Sequence, residues 1–119
     1  MHDYKKLMVW QKSYALVLLI YKISRFFPDE EKFGMTSQIR RAAVSISANI
    51  AEGSGRKSDK SFSYFLKISI GSLAEVKCYI DLAKDLQFMT ERNYVQLMEL
   101  SDEVGRLLGG FLKKINSNS

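Results

Sequence analysis

Residues 38–58, QIRRAAVSISANIAEGSGRKS, are the stretch that decides the fold. They contain no proline, and their glycines stand only at the far end, so one unbroken helix can run to about Gly53. Apolar residues recur at the three- and four-residue spacing of one helical face, at Ile39, Ala42, Ala43, Ile46 and Ile50. Small side chains on the other faces let neighbouring helices approach closely. We therefore expect the central helix of a helical bundle.

Three further segments carry helical periodicity, and none keeps the alternation of a strand for long. The four expected helices span about residues 8–26, 36–53, 59–87 and 91–115. Short connections between them predict an all-α, antiparallel up-down-up-down four-helix bundle. The length of 119 residues predicts a single domain over residues 1–119.

The connections carry the signals that start and stop helices. Pro28 ends the first helix, because the residue before a proline avoids helical angles. Gly34 is expected to turn the chain with a positive φ. Thr36 or Ser37 is a candidate N-cap of the second helix, and Ser58 and Thr90 are candidate caps of the third and fourth.

Composition predicts a folded protein of the cytoplasm. Hydrophobic residues make up 46% of the chain, as in ordinary globular proteins. The single cysteine allows no internal disulfide. The longest apolar run, residues 14–21, is too short to span a bilayer, so no membrane partner is expected.

The first helix predicts self-association. Residues 15–20 are apolar around almost the whole helical circumference. Each helix of a four-helix bundle has an outer face in water. The simplest way to bury the apolar outer face of this helix is contact with a second subunit. The expected homo-oligomer interface comprises Trp10, Leu16, Leu19, Ile20 and Ile23.

The positive charge favours nucleic acid as a partner. Residues 40–67 hold six basic and two acidic residues, which accounts for four of the five net positive charges. A solvated charged turn explains these residues in one subunit, but repetition in an oligomer would make a belt that neutralises several phosphates. The predicted nucleic-acid-binding residues are Arg40, Arg41, Arg56, Lys57 and Lys60.

A second group of polar residues shares helical faces of the second and third helices, at Asn49, Glu52, Ser72 and Glu75. A hydrogen-bond network that fixes helix register, or a surface Glu52–Arg56 pair, is favoured over a ligand pocket. No metal or cofactor is expected, since the single histidine, His2, lies outside the bundle. No catalytic set of residues is present, and Cys78 is expected to be a buried, inert thiol.

The stretch from Gln38 to Gly53, with LMVWQKSYALVLLIYKISRFFPDEEKFGMTS before it and FLKISIGSLAEVKCYIDLA after it, resembles the family of 23S ribosomal RNA intervening-sequence proteins. The resemblance covers roughly residues 4–83. It implies a four-helix bundle and a pentamer, because family members and the related accessory variability protein of diversity-generating retroelements form five-fold barrels. It also implies a genetic link to intervening sequences in ribosomal RNA genes.

Three hypotheses for function follow. The leading one is a non-enzymatic, homo-oligomeric bundle that binds nucleic acid, RNA in particular, through a basic surface. The second is an adaptor or scaffold whose partner is another protein. The third is a small-molecule binder that uses Glu52 and Glu75, which requires both carboxylates to point into a cavity without arginine partners.

Overall fold

The protein is a bundle of four α-helices in a computed structural model that describes residues 2–117. The helices are α1 (Met8–Ser24), α2 (Met35–Ser54), α3 (Asp59–Asp85) and α4 (Glu91–Ser117), with short 3-10 turns at Tyr4–Lys6 and Asp29–Glu31. The described residues form no strand, so the all-α prediction is confirmed. Within that range, no helix is both long enough and apolar enough to cross a membrane.

The helices enclose one hydrophobic core in a molecule that measures 45 × 24 × 20 Å. Helix α1 packs against α2 and α4, and α3 packs against the same two helices, most extensively against α2. The apolar seams expected from helical periodicity meet in the centre, where fully buried side chains include Leu16, Ile46, Phe62, Val76, Leu97 and Leu108. Burial of these seams is what holds four individually marginal helices together.

Helix α2 is one of four helices around the core, and the prediction of a central, enclosed helix was wrong. Its apolar face is buried as the periodicity predicts, with Ile46 and Ile50 completely inaccessible. The opposite face, including Val44 and Ala48, is exposed. The small residues of α2 permit close contact on the α3 side, but four helices around one core leave no central position for any of them.

The apolar circumference of α1 divides into a buried and an exposed half. Leu16, Ile20 and Ile23 lie in the core of their own chain, so assigning them to a subunit interface was wrong. Trp10 and Leu19 are partly buried and pack against that core. The apolar side chains that α1 exposes are Met8, Tyr14, Leu18 and Tyr21.

The connection before α2 differs from the prediction in its capping. Gly34 has a φ of −110°, so no left-handed turn occurs there. The N-terminus of α2 is capped from the preceding turn, where the Glu31 carboxylate accepts the Met35 N–H at 3.1 Å. Neither Thr36 nor Ser37 caps the helix, because α2 already begins at Met35.

The later helix ends follow the sequence signals more closely. The Ser58 hydroxyl accepts the Ser61 N–H at the start of α3, and the Thr90 hydroxyl accepts the Asn93 N–H at the start of α4, each at 3.1 Å. Between these two helices Gln87 adopts a φ of 64°, the left-handed conformation that ends many helices.

Candidate nucleic-acid interface

The five predicted nucleic-acid-binding residues do not form one patch in the chain. Arg40 and Arg41 lie in the first turns of α2, whereas Arg56, Lys57 and Lys60 follow its C-terminal end. Helix α2 runs on from Arg40 for fourteen residues to Ser54, which at about 1.5 Å each is roughly 21 Å along the axis, and Arg56 lies just beyond that end. The two groups are close in the sequence, but the length of α2 places them at opposite ends of the bundle.

Arg40 is engaged within the protein. Its Nε donates to the Ser24 hydroxyl at 2.8 Å, and its Nη2 donates to the Tyr21 carbonyl at 3.3 Å. The guanidinium also lies 4.5 Å from the centre of the Tyr21 ring. Arg40 therefore places a positive charge against the C-terminal end of α1, where the helix dipole favours a cation. Its contacts indicate a structural role.

Arg41 takes part in a polar group between α2 and α3. It donates to the Gln38 side chain at 2.6 Å and lies 3.7 Å from the Glu75 carboxylate. Burial raises the pKa of the Tyr79 hydroxyl, and the neighbouring Glu75, which accepts its hydrogen bond, raises that pKa further.

The predicted polar cluster separates into a network and a surface pair. The Ser45 and Ser72 hydroxyls are 2.8 Å apart, and the Asn49 amide donates to the Ser45 carbonyl at 2.8 Å and to its hydroxyl at 3.1 Å. Glu52 does not join this network but pairs with Arg56 one turn later. The structure thus holds a hydrogen-bond network between α2 and α3 and a surface Glu52–Arg56 pair, but the network includes Ser45 and neither of the two carboxylates.

These contacts remove the small-molecule hypothesis based on Glu52 and Glu75. Each carboxylate has an arginine partner, and both side chains are around half exposed, at 56% and 41%. Neither points into a cavity as an uncompensated charge, which is the condition that the hypothesis required.

Four segments converge at the end of the bundle that holds Arg56. The His2 N–H donates to the Ser54 carbonyl at 2.8 Å, which ties the N-terminal segment to the end of α2. The Phe62 ring, in the first turn of α3, lies 5.4 Å from the rings of both His2 and Phe111. Basic residues from distant parts of the chain are thereby brought to the same end.

We call this region the basic end. It comprises eight basic residues: Lys5, Lys6, Arg56, Lys57, Lys60, Lys67, Lys113 and Lys114. Three acidic residues accompany them: Asp3, Glu52 and Asp59. Eight minus three gives the whole net charge of +5, and the remaining ten basic and ten acidic residues cancel.

The basic end is also poorly neutralised by local ion pairs. Among the described carboxylates, Glu52 is the one that pairs with any of its eight basic residues, and its partner is Arg56. Of the ten basic residues elsewhere, four form described ion pairs: Lys12 with Glu103, Arg41 with Glu75, Lys77 with Asp102 and Lys84 with Glu91. An excess of basic over acidic residues at one end favours a positive potential there.

Sequence reasoning missed Lys113 and Lys114 as members of the basic end. They lie in the chain far beyond residues 40–67, the stretch that holds most of the excess positive charge predicted to bind nucleic acid. Their position in the last turns of the predicted fourth helix could have identified them. In an up-and-down bundle the end of the fourth helix lies near the start of the third, where Lys60 is found.

Cys78 differs from its prediction, because its side chain is exposed on α3 and not buried. The seam of α3 passes through Val76 and Ile80, which are fully buried, and Cys78 lies between them on the opposite side of the helix. Among residues 2–117 no three His, Cys, Asp or Glu side chains are placed to hold a metal ion.

Comparisons with known proteins agree with this architecture. A solved structure from Bacteroides thetaiotaomicron VPI-5482, described as a protein of unknown function from the S23 ribosomal protein family, is 27% identical and superposes with a TM-score of 0.83. The alignment covers 89% of this chain and 99% of that one. No curated protein matches the sequence. The sequence model of the 23S rRNA-intervening sequence proteins matches residues 5–110, and the chain belongs to that family.

Proposed function

We propose that the protein is a non-enzymatic helical bundle of the cytoplasm that binds RNA through its basic end. The observation that carries the proposal is that the whole net charge of +5 lies there, with seven of eight basic side chains lacking a described acidic partner. Phosphates on a nucleic acid backbone would supply the missing counter-charges and release condensed cations on binding. The family description names ribosomal RNA, which favours RNA over DNA as the ligand.

The proposal includes an antiparallel bundle that assembles as a homopentamer. Contacts of Arg41 with Glu75 and of Ser45 with Ser72 support opposite directions for α2 and α3, because residue numbers rise on one helix as they fall on the other. The exposed side chains of Leu18, Tyr14 and Tyr21 support an apolar contact surface on α1. The number five rests on the family resemblance.

The test is RNA binding by nuclease-treated protein across a salt series. A variant with Lys57→Glu, Lys60→Glu and Lys67→Glu reverses three unpaired charges of the basic end. We expect it to lose measurable affinity for a labelled structured RNA, while the unaltered protein shows a steep fall of log K with log salt. Circular dichroism should show the same helical content, because all three side chains are exposed.

A matched control reverses three exposed basic residues at the opposite end, Lys22→Glu, Arg25→Glu and Lys32→Glu. Its net charge changes by the same amount, and its RNA affinity should fall far less. Equal losses in both variants would mean that only net charge matters and would overturn the assignment to the basic end. Absence of RNA binding by the unaltered protein at low salt would overturn the proposed function.

A second candidate, a protein adaptor, is favoured by two aromatic side chains at the other end of the bundle. Phe26 is 77% exposed and Phe33 is 89% exposed. Large exposed apolar side chains are typical of protein contact sites. A polypeptide that remains bound after nuclease treatment, and is lost on Phe26→Ser and Phe33→Ser substitution, would support this candidate.

A further inference from the structure

An exposed aromatic ring lies between two lysines on one face of α3. Tyr64 is 63% exposed, although tyrosine rings usually bury most of their surface. Lys60 precedes it by four residues and Lys67 follows it by three, so all three side chains project from neighbouring turns of the same helical face. Neither lysine forms an ion pair with a described carboxylate.

The same face opens into a groove between the start of α3 and the end of α4. Its volume is about 440 Å³, and its lining residues are Lys60, Ser63, Tyr64, Lys67 and Asn116. Small-molecule sites in proteins commonly occupy about 300–1,000 Å³. The groove therefore has room for a nucleotide unit, which is more than a single phosphate requires.

Neighbouring side chains support the Tyr64 ring from one side. Phe65 meets it edge to face, with ring centroids 5.3 Å apart and an interplanar angle of 86°. The Arg56 guanidinium lies 4.7 Å from the centre of the Phe65 ring. These contacts hold the aromatic pair in place and leave much of the Tyr64 ring open to solvent.

We infer that this face binds single-stranded RNA, with one base stacked on Tyr64 and the adjoining phosphates held by Lys60 and Lys67. The inference rests on the proposed function and specifies its ligand. A base in a duplex is already stacked between its neighbours, whereas an unpaired base offers its face to an aromatic side chain. Lysines on both sides of the ring match a backbone that enters and leaves the stacked nucleotide.

The experiment compares the unaltered protein with its Tyr64→Ala and Tyr64→Phe variants. The probe is a labelled single-stranded RNA of about a dozen nucleotides, used alone and annealed to its complement. We expect the unaltered protein to prefer the single strand. Tyr64→Ala should bind it roughly tenfold more weakly, because one base loses its stacking partner, and Tyr64→Phe should retain most of the affinity.

Phe33→Ala serves as the control, because it removes an even more exposed ring from the opposite end and should leave RNA binding unchanged. The inference is overturned if Tyr64→Ala binds the single strand as tightly as the unaltered protein, or if the duplex binds better. In either case the loss caused by reversing Lys57, Lys60 and Lys67 would still stand, so the two failures are distinguishable.

Discussion

The guanidinium of Arg40 satisfies polar groups at the C-terminal end of α1 through the Tyr21 carbonyl and the Ser24 hydroxyl. Ser24 is 2% exposed, so the loss of its partner would leave a buried hydroxyl with one weak intrahelical contact. Arg41, the next residue, makes its contacts on the surface, where ion pairs contribute little. Adjacent residues of the same type thus have different roles.

We predict that Arg40→Met lowers the free energy of unfolding by about 1–3 kcal/mol, because charged hydrogen bonds and a favourable helix-dipole contact are lost. Arg41→Met should cost less than about 1 kcal/mol, since it removes an exposed ion pair. Urea denaturation of the two variants provides the measurement. Equal costs, or loss of RNA binding by folded Arg40→Met, would contradict the structural role.

At the scale of elements, Gly53 controls how closely α2 approaches α3. A Cβ at this position would lie 2.7 Å from Cδ1 of Phe62 and 2.9 Å from Cβ of Phe65. Phe62 is almost completely buried and cannot move aside without disturbing the core. Gly53 therefore permits this close contact inside α2 because it has no side chain. The sequence predicts a helix to about Gly53, and α2 continues one residue further, to Ser54.

We predict that Gly53→Ala lowers the free energy of unfolding by about 1–3 kcal/mol through overpacking, despite the better helix propensity of alanine. Gly109 is the matched control, because it lies in α4 with nothing within 4 Å of its added Cβ. Gly109→Ala should stabilise the protein by about 0.5–1 kcal/mol. Thermal unfolding distinguishes the two, and a Gly53→Ala variant as stable as the parent would refute the close contact.

For the whole molecule, charge and apolar surface have different locations. The net charge lies at one end, and the exposed apolar side chains of α1 extend along one side. Copies packed side by side through α1 with their axes aligned would bring their basic ends together. A ring of such ends would contact several phosphates at once, which raises affinity by multivalency.

We predict a solution mass near 68 kDa, five times 13.6 kDa, by light scattering at micromolar concentration. Leu18 is 55% exposed, so Leu18→Glu should break the assembly and shift the mass towards 13.6 kDa with helical content unchanged. Leu16→Ala, in the core, should instead destabilise the fold by about 2–5 kcal/mol. A monomeric parent protein would refute self-association through α1.

Much of the fold follows from local rules in the sequence. The spacing of apolar residues predicted four helices and the buried face of α2, because a side chain three or four residues ahead lies on the same helical face. Ser58 and Thr90 gave two helix starts, because a hydroxyl at that position satisfies a backbone N–H within the same turn. The family resemblance also follows from local sequence, because continuous stretches of the chain carry it.

The candidate site was decided by tertiary structure. Lys113 joins Lys60 at the basic end only because α4 packs back along α3, and Arg40 leaves the predicted site because the end of α1 lies within its reach. Periodicity separates polar from apolar faces but does not say which other segment meets each face. The sequence by itself determined four helices and the family, whereas packing between distant segments decided which side of α1 is buried and which charges lie together.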